Sequence, residues 1–222
     1  MKQLKLIIIS ILTLSLVSVS YAEATTKTTT VVTDQNSTDT INPNDPVSII
    51  EGSFVKLQKL VSQQSEEINK DPQILVHLVN QYFVPYIDQD VMAGYAVGIK
   101  WRTATEKEKQ EFIKQFITLL ARFYAKTVTK VGDYQLKISP ISQSAIQDKK
   151  YISVNGKIIN KTNGNASPIE IKMIRSDHSW KTYDIVVGGV SILNNYREQF
   201  QQAANMSQLI TRLTQMNAKG AQ

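Results

Sequence analysis

The chain of 222 residues contains no cysteine. That excludes a disulfide framework, a thiol nucleophile and a lipid-modified N-terminal cysteine together, so stability has to come from burial. Histidine occurs only at His77 and His178, and no aspartate or glutamate stands at zinc-ligand spacing from either. There is no Gly-x-Ser-x-Gly elbow and no glycine-rich phosphate loop ahead of a helix. Beyond Val19 no stretch approaches the roughly 18 consecutive apolar residues of a membrane span. No arginine and aromatic signature of a nucleic-acid reader is present. From these absences we expect no catalytic residue, no metal site and no nucleic-acid partner.

What is there begins at the N-terminus. Lys2 and Lys5 precede an apolar run from Leu6 to Val19, followed by Ser20-Tyr21-Ala22. This is the pattern of a secretory signal peptide over residues 1–22, cut after Ala22 or, as second choice, Ala24. At about 1.5 Å per residue the apolar run falls short of the roughly 30 Å hydrocarbon core, so a retained anchor fits less well. Residues 23–44 are rich in Thr, Asn and Asp and are expected to form a disordered tail, because they bury too little to offset chain entropy. Residues 45–217 then form a single domain, with 218–222 as a flexible end.

Charge divides the chain. Glu23 to Ile99 carries 4 basic and 10 acidic residues, and Lys100 to Gln222 carries 19 basic and 9 acidic. A basic half favours approach to anionic phosphate surfaces, although lysines also serve simply to solvate helices and strands.

Periodicity gives the architecture. Asp45-Pro46 is an N-cap followed by proline at the first helical position, and Val47, Ile50, Phe54, Leu57 and Val61 form one stripe. Asp71-Pro72 repeats the signal ahead of Leu75, Leu78, Val79 and Tyr82, and Pro85 ends that helix. A short helix from Asp88 or Asp90 is expected to turn Val91, Tyr95 and Ile99 inward, with Gly94 and Gly98 allowing close approach. Thr105 to Glu108 is a capping box that opens a long helix carrying Phe112, Ile113, Phe116, Ile117, Leu119, Leu120, Phe123 and Tyr124.

After Gly132 the period changes from 3.6 to 2. The four expected strands carry Tyr134, Leu136, Ile138; Ile152, Val154, Gly156, Ile158; Ile169, Ile171, Met173; and Tyr183, Ile185, Val187. Asn163-Gly164 and Ser176-Asp177-His178-Ser179 suit hairpin turns, so the sheet should be antiparallel. Polar Lys157, Glu170 and Lys172 alternate with the apolar set, which implies one solvated and one covered face. Helices at Ser191 to Ala204 and from an N-cap at Ser207, with Leu209, Leu213 and Met216 inward, close the chain. The expected fold class is α+β: N-terminal helices, a four-stranded antiparallel sheet and C-terminal helices packed on one sheet face.

Two blocks carry a family resemblance. One is Phe83-Val84-Pro85-Tyr86-Ile87-Asp88 with the segment Trp101 to Phe116. The other runs from Trp180-Lys181-Thr182-Tyr183-Asp184-Ile185 through Gly189-Val190-Ser191 to Asn195-Tyr196-Arg197-Glu198-Gln199-Phe200. In these, and in element order from Val47 to Met216, the chain resembles the MlaC family of periplasmic phospholipid carriers, also known as toluene-tolerance auxiliary proteins.

The resemblance implies a single domain with an apolar cavity that holds phospholipid as cargo, with no other cofactor. It implies a periplasmic shuttle that maintains outer-membrane lipid asymmetry. The implied partners are a lipoprotein-porin complex at the outer membrane and an ABC-transporter assembly, with its substrate-receiving subunit, at the inner membrane. Under that reading the lipid-contacting wall comprises Val154, Ile171, Met173, Tyr183 and Ile185 on the covered sheet face, with Phe83, Phe112, Phe116 and Leu120 opposite. Met173 is favoured because a flexible thioether adapts to variable acyl chains.

Two other readings compete. One is an exported, non-enzymatic protein-binding module with a closed core. The other is an enzyme using a carboxylate pair such as Asp88 and Asp184; against it, aspartates ahead of helices serve as caps. Ser191, after Gly188-Gly189, is likewise expected to be an N-cap rather than a nucleophile.

Overall fold

The Asp45 carboxylate accepts a hydrogen bond from the Val47 amide at 3.0 Å and starts helix α1, Pro46–Lys70. Pro46 fits there because the first turn has no use for its missing N–H. The computed structural model describes residues 41–219. The expected signal peptide, most of the expected tail and residues 220–222 lie outside the described residues. The last four residues assigned to the tail belong to the fold: the Trp180 amide donates to the Pro43 carbonyl at 2.9 Å. Ile41 packs over Gly52, where a Cβ would come within 2.7 Å of its side chain. One apolar residue with a core to join is enough to order the end of a polar segment.

Helix α2 spans Gln73–Tyr82, with Asp71 accepting from the Gln73 amide at 2.9 Å. A single 3₁₀ turn at Val84–Tyr86 follows, as expected where Pro85 removes a helical donor. Asp88 then caps α3, Gln89–Val97, by accepting from Val91 at 3.0 Å. Its inward face corrects the sequence-based expectation. Met92, Ala93, Ala96 and Val97 are buried, whereas Tyr95 and Ile99 are 47% and 71% exposed. Both stripes are apolar, and the small one wins because Ala93 and Ala96 let neighbouring elements approach closely.

Gly98, at φ 73, breaks the chain direction before the short α4, Ile99–Thr103. Helix α5, Glu106–Val128, opens on the capping box, with the Thr105 amide donating to Glu108 at 2.9 Å.

The sheet has five strands in the order β1-β2-β3-β4-β5, each pair antiparallel. They are β1 Tyr134–Ile138, β2 Tyr151–Asn160, β3 Ala166–Ser176, β4 Ser179–Val187 and β5 Val190–Ser191. A four-residue helix α6, Gln143–Ile146, lies between β1 and β2. The added strand is two residues long and returns through Gly188 and Gly189, at φ 59 and 83. Asp177 and His178, at φ 48 and 62, make the other two-residue hairpin. Paired left-handed residues match the twist of the flanking strands. Gly156 is needed where β1 crosses β2, since a Cβ there would lie 2.5 Å from the Lys137 carbonyl.

One sheet face carries Leu136, Ile158, Ile169, Ile171 and Met173, and α1 lies across it from β1 to β4. The other face is polar over β1 to β3 and covered near β4. There α7, Ile192–Gln201, packs on β4 and α3, while α8, Met206–Lys219, runs along α5. Asn205, rather than Ser207, caps α8 by accepting from Gln208 at 2.9 Å. Its inward residues are Leu209, Leu213 and Asn217, with Met216 42% exposed. Asn217 turns inward in place of the expected Met216, and its amide donates to the Gln115 carbonyl at 2.9 Å. Among the described residues no helix is long and apolar enough to cross a membrane.

Candidate functional site

The layer between α1 and the sheet is not filled. A cavity of about 260 Å³ lies there and opens to the surface. Helix α1 contributes Ile49, Ile50, Ser53, Phe54 and Leu57 to its wall; the turn after α2 contributes Phe83, Tyr86 and Ile87. The sheet contributes Leu136, Ile158, Ile169, Ile171, Thr182 and Ile185. Among the described residues only Ser53, Tyr86 and Thr182 bring side-chain polar atoms to it, and no carboxylate or amine lines the space.

The geometry follows from the residue types. Branched aliphatics on a pleated sheet stand apart at about 5 Å strand spacing. The α1 stripe faces them with Ile49, Ile50, Phe54 and Leu57 around the short Ser53. The turn after α2 is held against the sheet by a parallel bridge between Ile87 and Thr182, with the Asp88 amide donating to the Thr182 carbonyl at 2.9 Å. Helix α1 is held at the other side by the Gln58 amide group, which donates to the carbonyls of Val131 and Tyr134 at 3.0 and 2.8 Å. Helix and turn are therefore fixed as walls at a distance the sheet side chains do not span.

Natural interiors hold few voids larger than a water molecule. An apolar cavity of about 150 Å³ already admits benzene. At about 24 cal/mol per Å³ of unfilled volume, this one corresponds to about 6 kcal/mol of missing packing if it were sealed, as much as the net stability of a small domain. Its opening to solvent lowers that figure, but an apolar occupant remains the state in which the walls are satisfied.

The expected wall residues divide four ways. Phe83, Ile171 and Ile185 line the cavity. Val154 and Met173, 1% and 0% exposed, lie on the same sheet face but in the packed core beside it, with Trp180 and Ile146. Phe112, Phe116 and Leu120 belong to a separate core formed by α5 with α3, α7 and α8. Phe116 there meets Phe112, Tyr196 and Phe200 at 5.2 to 5.4 Å between ring centres.

Tyr183 is turned to the opposite sheet face. A β-bulge sets Asp184 against Lys172 but Thr182 against Met173, which leaves Tyr183 as the extra residue. A bulge reverses the alternation beyond it. Tyr183 instead stacks on Tyr95 at 5.2 Å. Burial, with added repulsion from Tyr95 and Asp184, pushes its phenol up to about 12. Sequence reasoning missed Tyr86, Leu136, Ile158 and Ile169 as wall residues, although all four stood in the quoted block or in the alternating runs. It also gave the apolar stripe of α1 no part in the wall.

The candidate acid-base pair is committed elsewhere. Asp88 caps α3. Asp184, 7% exposed, accepts from the Ser191 hydroxyl at 2.7 Å and the Leu193 amide at 3.2 Å, with Lys172 at 3.6 Å. Ser191 in turn accepts from Asn194 at 3.1 Å as the α7 N-cap, so its hydroxyl is fully used. His77 and His178 are exposed, on a helix and in a turn. Among the described residues no group of three metal-ligating side chains gathers.

An α+β domain with an apolar hollow between its sheet and a fixed helix is a binding scaffold rather than a solid core. The chain belongs to the MlaC protein family, whose profile matches residues 53–217. It is 25% identical over 186 residues to the intermembrane phospholipid transport system binding protein MlaC of Haemophilus influenzae, covering 82% of this chain and 85% of that one. It is 23% identical over 165 residues to the toluene tolerance protein ttg2D of Pseudomonas putida, covering 74% and 75%. The fold matches the phospholipid-binding protein of Ralstonia solanacearum, solved in complex with a phospholipid. The TM-score is 0.71 at 23% identity, over 80% of this chain and 99% of that one.

Proposed function

We propose that this protein is a non-enzymatic phospholipid carrier that works in the periplasm. In this reading it passes lipid between a lipoprotein-porin complex at the outer membrane and an ABC-transporter assembly at the inner membrane. The observation that carries the reading is the apolar cavity between α1 and the sheet. The kinship with an intermembrane phospholipid transport protein, and the phospholipid bound to the Ralstonia protein, support lipid as the occupant.

The physics of the task fits the site. Each methylene exposed to water costs about 0.8 kcal/mol, so an acyl chain in solution is held back by on the order of 10 kcal/mol. A hollow lined by aliphatic and aromatic side chains cancels that cost, and its few hydroxyls leave the headgroup to solvent. At about 260 Å³ the cavity is just below the roughly 300 Å³ at which small-ligand pockets begin. It therefore takes part of one acyl chain as it stands.

The test is organic extraction of gently purified protein followed by lipid mass spectrometry. We expect phospholipid in near-stoichiometric amount, and its loss in a folded Ile185→Asp variant, which puts a charge in the wall. An empty extract from the unaltered protein would favour the closed protein-binding module instead.

A further inference from the structure

A second groove, of about 520 Å³, lies across β4 from the cavity: Thr182 faces the cavity, and the next residue, Tyr183, stacks on Tyr95 in the groove wall. The groove is lined by Tyr95, Ile99, Trp101 and Tyr151 together with Arg102 and Arg197, and among the described residues no carboxylate lines it. Two glycines build it. Trp101 comes within 3.2 Å of where a Cβ on Gly94 would be, and Gly98 turns the chain so that Ile99 projects outward.

Single exposed apolar residues are ordinary on a protein surface. Here three of them share one recess: Ile99 is 71% exposed, and Tyr95 and Tyr151 are each 47% exposed. Cations sit among them. An Arg197 N–H donates to the Tyr95 carbonyl at 3.2 Å, which leaves other guanidinium donors available. Lys150 lies 5.8 Å from the centre of the Tyr151 ring.

We propose that this groove docks the protein on an anionic bilayer surface. The chemistry is that of an interfacial patch. An aliphatic side chain enters the acyl boundary, amphipathic rings lie at headgroup level, and guanidinium groups pair with phosphates. The absence of carboxylates from the described lining suits a negative surface, and the basic half of the sequence supplies Arg102 and Arg197 in the groove and, beside it, Lys150 and Lys109, the latter 5.7 Å from the centre of the Trp101 ring. The inference goes beyond the carrier reading, since it depends on neither the cavity nor its cargo.

The experiment is flotation with vesicles of phosphatidylglycerol and phosphatidylethanolamine in equal parts, against vesicles of phosphatidylcholine alone. We expect the protein to float with the first, to remain in the subphase with the second, and to be released by salt. Of the two tryptophans, Trp180 is 1% exposed, so a blue shift of emission on the anionic vesicles reports Trp101 in the groove. Arg102→Gln should weaken partitioning about fivefold, and Ile99→Glu about tenfold or more, with unchanged melting curves because both side chains are exposed. A protein that stays in the subphase with both vesicle types overturns the proposal and leaves a protein partner as the occupant. So do equal flotation with phosphatidylcholine and variants that float as the parent does. Phospholipid content of the same samples keeps the two readings apart: lipid-free protein that floats supports docking while counting against the carrier, and loaded protein that does not float does the reverse.

Discussion

Two apolar layers of this molecule use similar residue hydrophobicity to opposite ends. Between α5, α7 and α8, planar rings meet edge to face: Phe112 and Phe116 are 0% exposed, and Phe200 closes on both at 5.6 and 5.3 Å. Between α1 and the sheet, branched aliphatics from β1 to β4 face a helix that hydrogen bonds at Gln58 hold in place, and a cavity remains. Aromatic rings can tilt to fill a gap, and such pairs gain about 0.5–1.5 kcal/mol beyond area burial. Short β-branched side chains have one or two stiff torsions and cannot reach across one. The first layer supplies stability, and the second forgoes some of it to leave room for an occupant.

The comparison is sharpest under truncation. Phe116→Ala should cost about 3–5 kcal/mol in urea unfolding, because three rings, Phe112, Tyr196 and Phe200, lose their common neighbour. A cost below about 2 kcal/mol would mean that the helical layer is also loosely packed. Asp184→Ala should cost about 1–3 kcal/mol, since it strips the buried acceptor from the Ser191 hydroxyl and the Leu193 amide where the sheet hands over to α7. Ile158→Ala, at the cavity wall, should cost only about 1–2 kcal/mol, because one side of that residue already lacks partner atoms. Equal losses at Phe116 and Ile158 would erase the distinction between the layers.

The smallest effect is one of pH. A free tyrosine titrates near 10, whereas Tyr183 is pushed up to about 12 in the fold. Below pH 10 both states keep the proton and nothing changes. Between 10 and 12 the unfolded chain releases it first, so stability falls as pH rises. Burial raises Tyr196 and Tyr124 in the same direction, so the fall should be lessened, not abolished, in Tyr183→Phe. Unfolding midpoints unchanged across that window would place Tyr183 in water.

The alternation Leu136, Ile158, Ile169 and Ile171 set the covered face of the sheet correctly, because period two is a property of the extended backbone and needs no partner. It failed at Tyr183, where the register of β3 against β4 inserts an extra residue. A bulge is a relation between two strands, and no single strand records it. The caps at Asp45, Asp88, Thr105 and Ser191 were equally legible, since each is a side chain bonding its own next few residues. The inward face of α3 was legible only in part: Val91 packs against the core as expected, but Tyr95 and, past the end of the helix, Ile99 turn outward while Met92, Ala96 and Val97 are buried, and only the closeness of the neighbouring elements chose between them.

Of the proposed wall, Phe83, Ile171 and Ile185 reach the cavity while Phe112 and Phe116 pack away from it, and all five are apolar residues at core positions in the sequence. Short-range periodicity and capping determined which elements form and which faces turn from water, because those follow from backbone geometry within a few residues. Whether two such faces then close completely is decided by the distance at which long-range hydrogen bonds and strand register hold them. That distance, fixed by Gln58 to Val131 and Tyr134 on one side and Ile87 to Thr182 on the other, exists only in the folded chain.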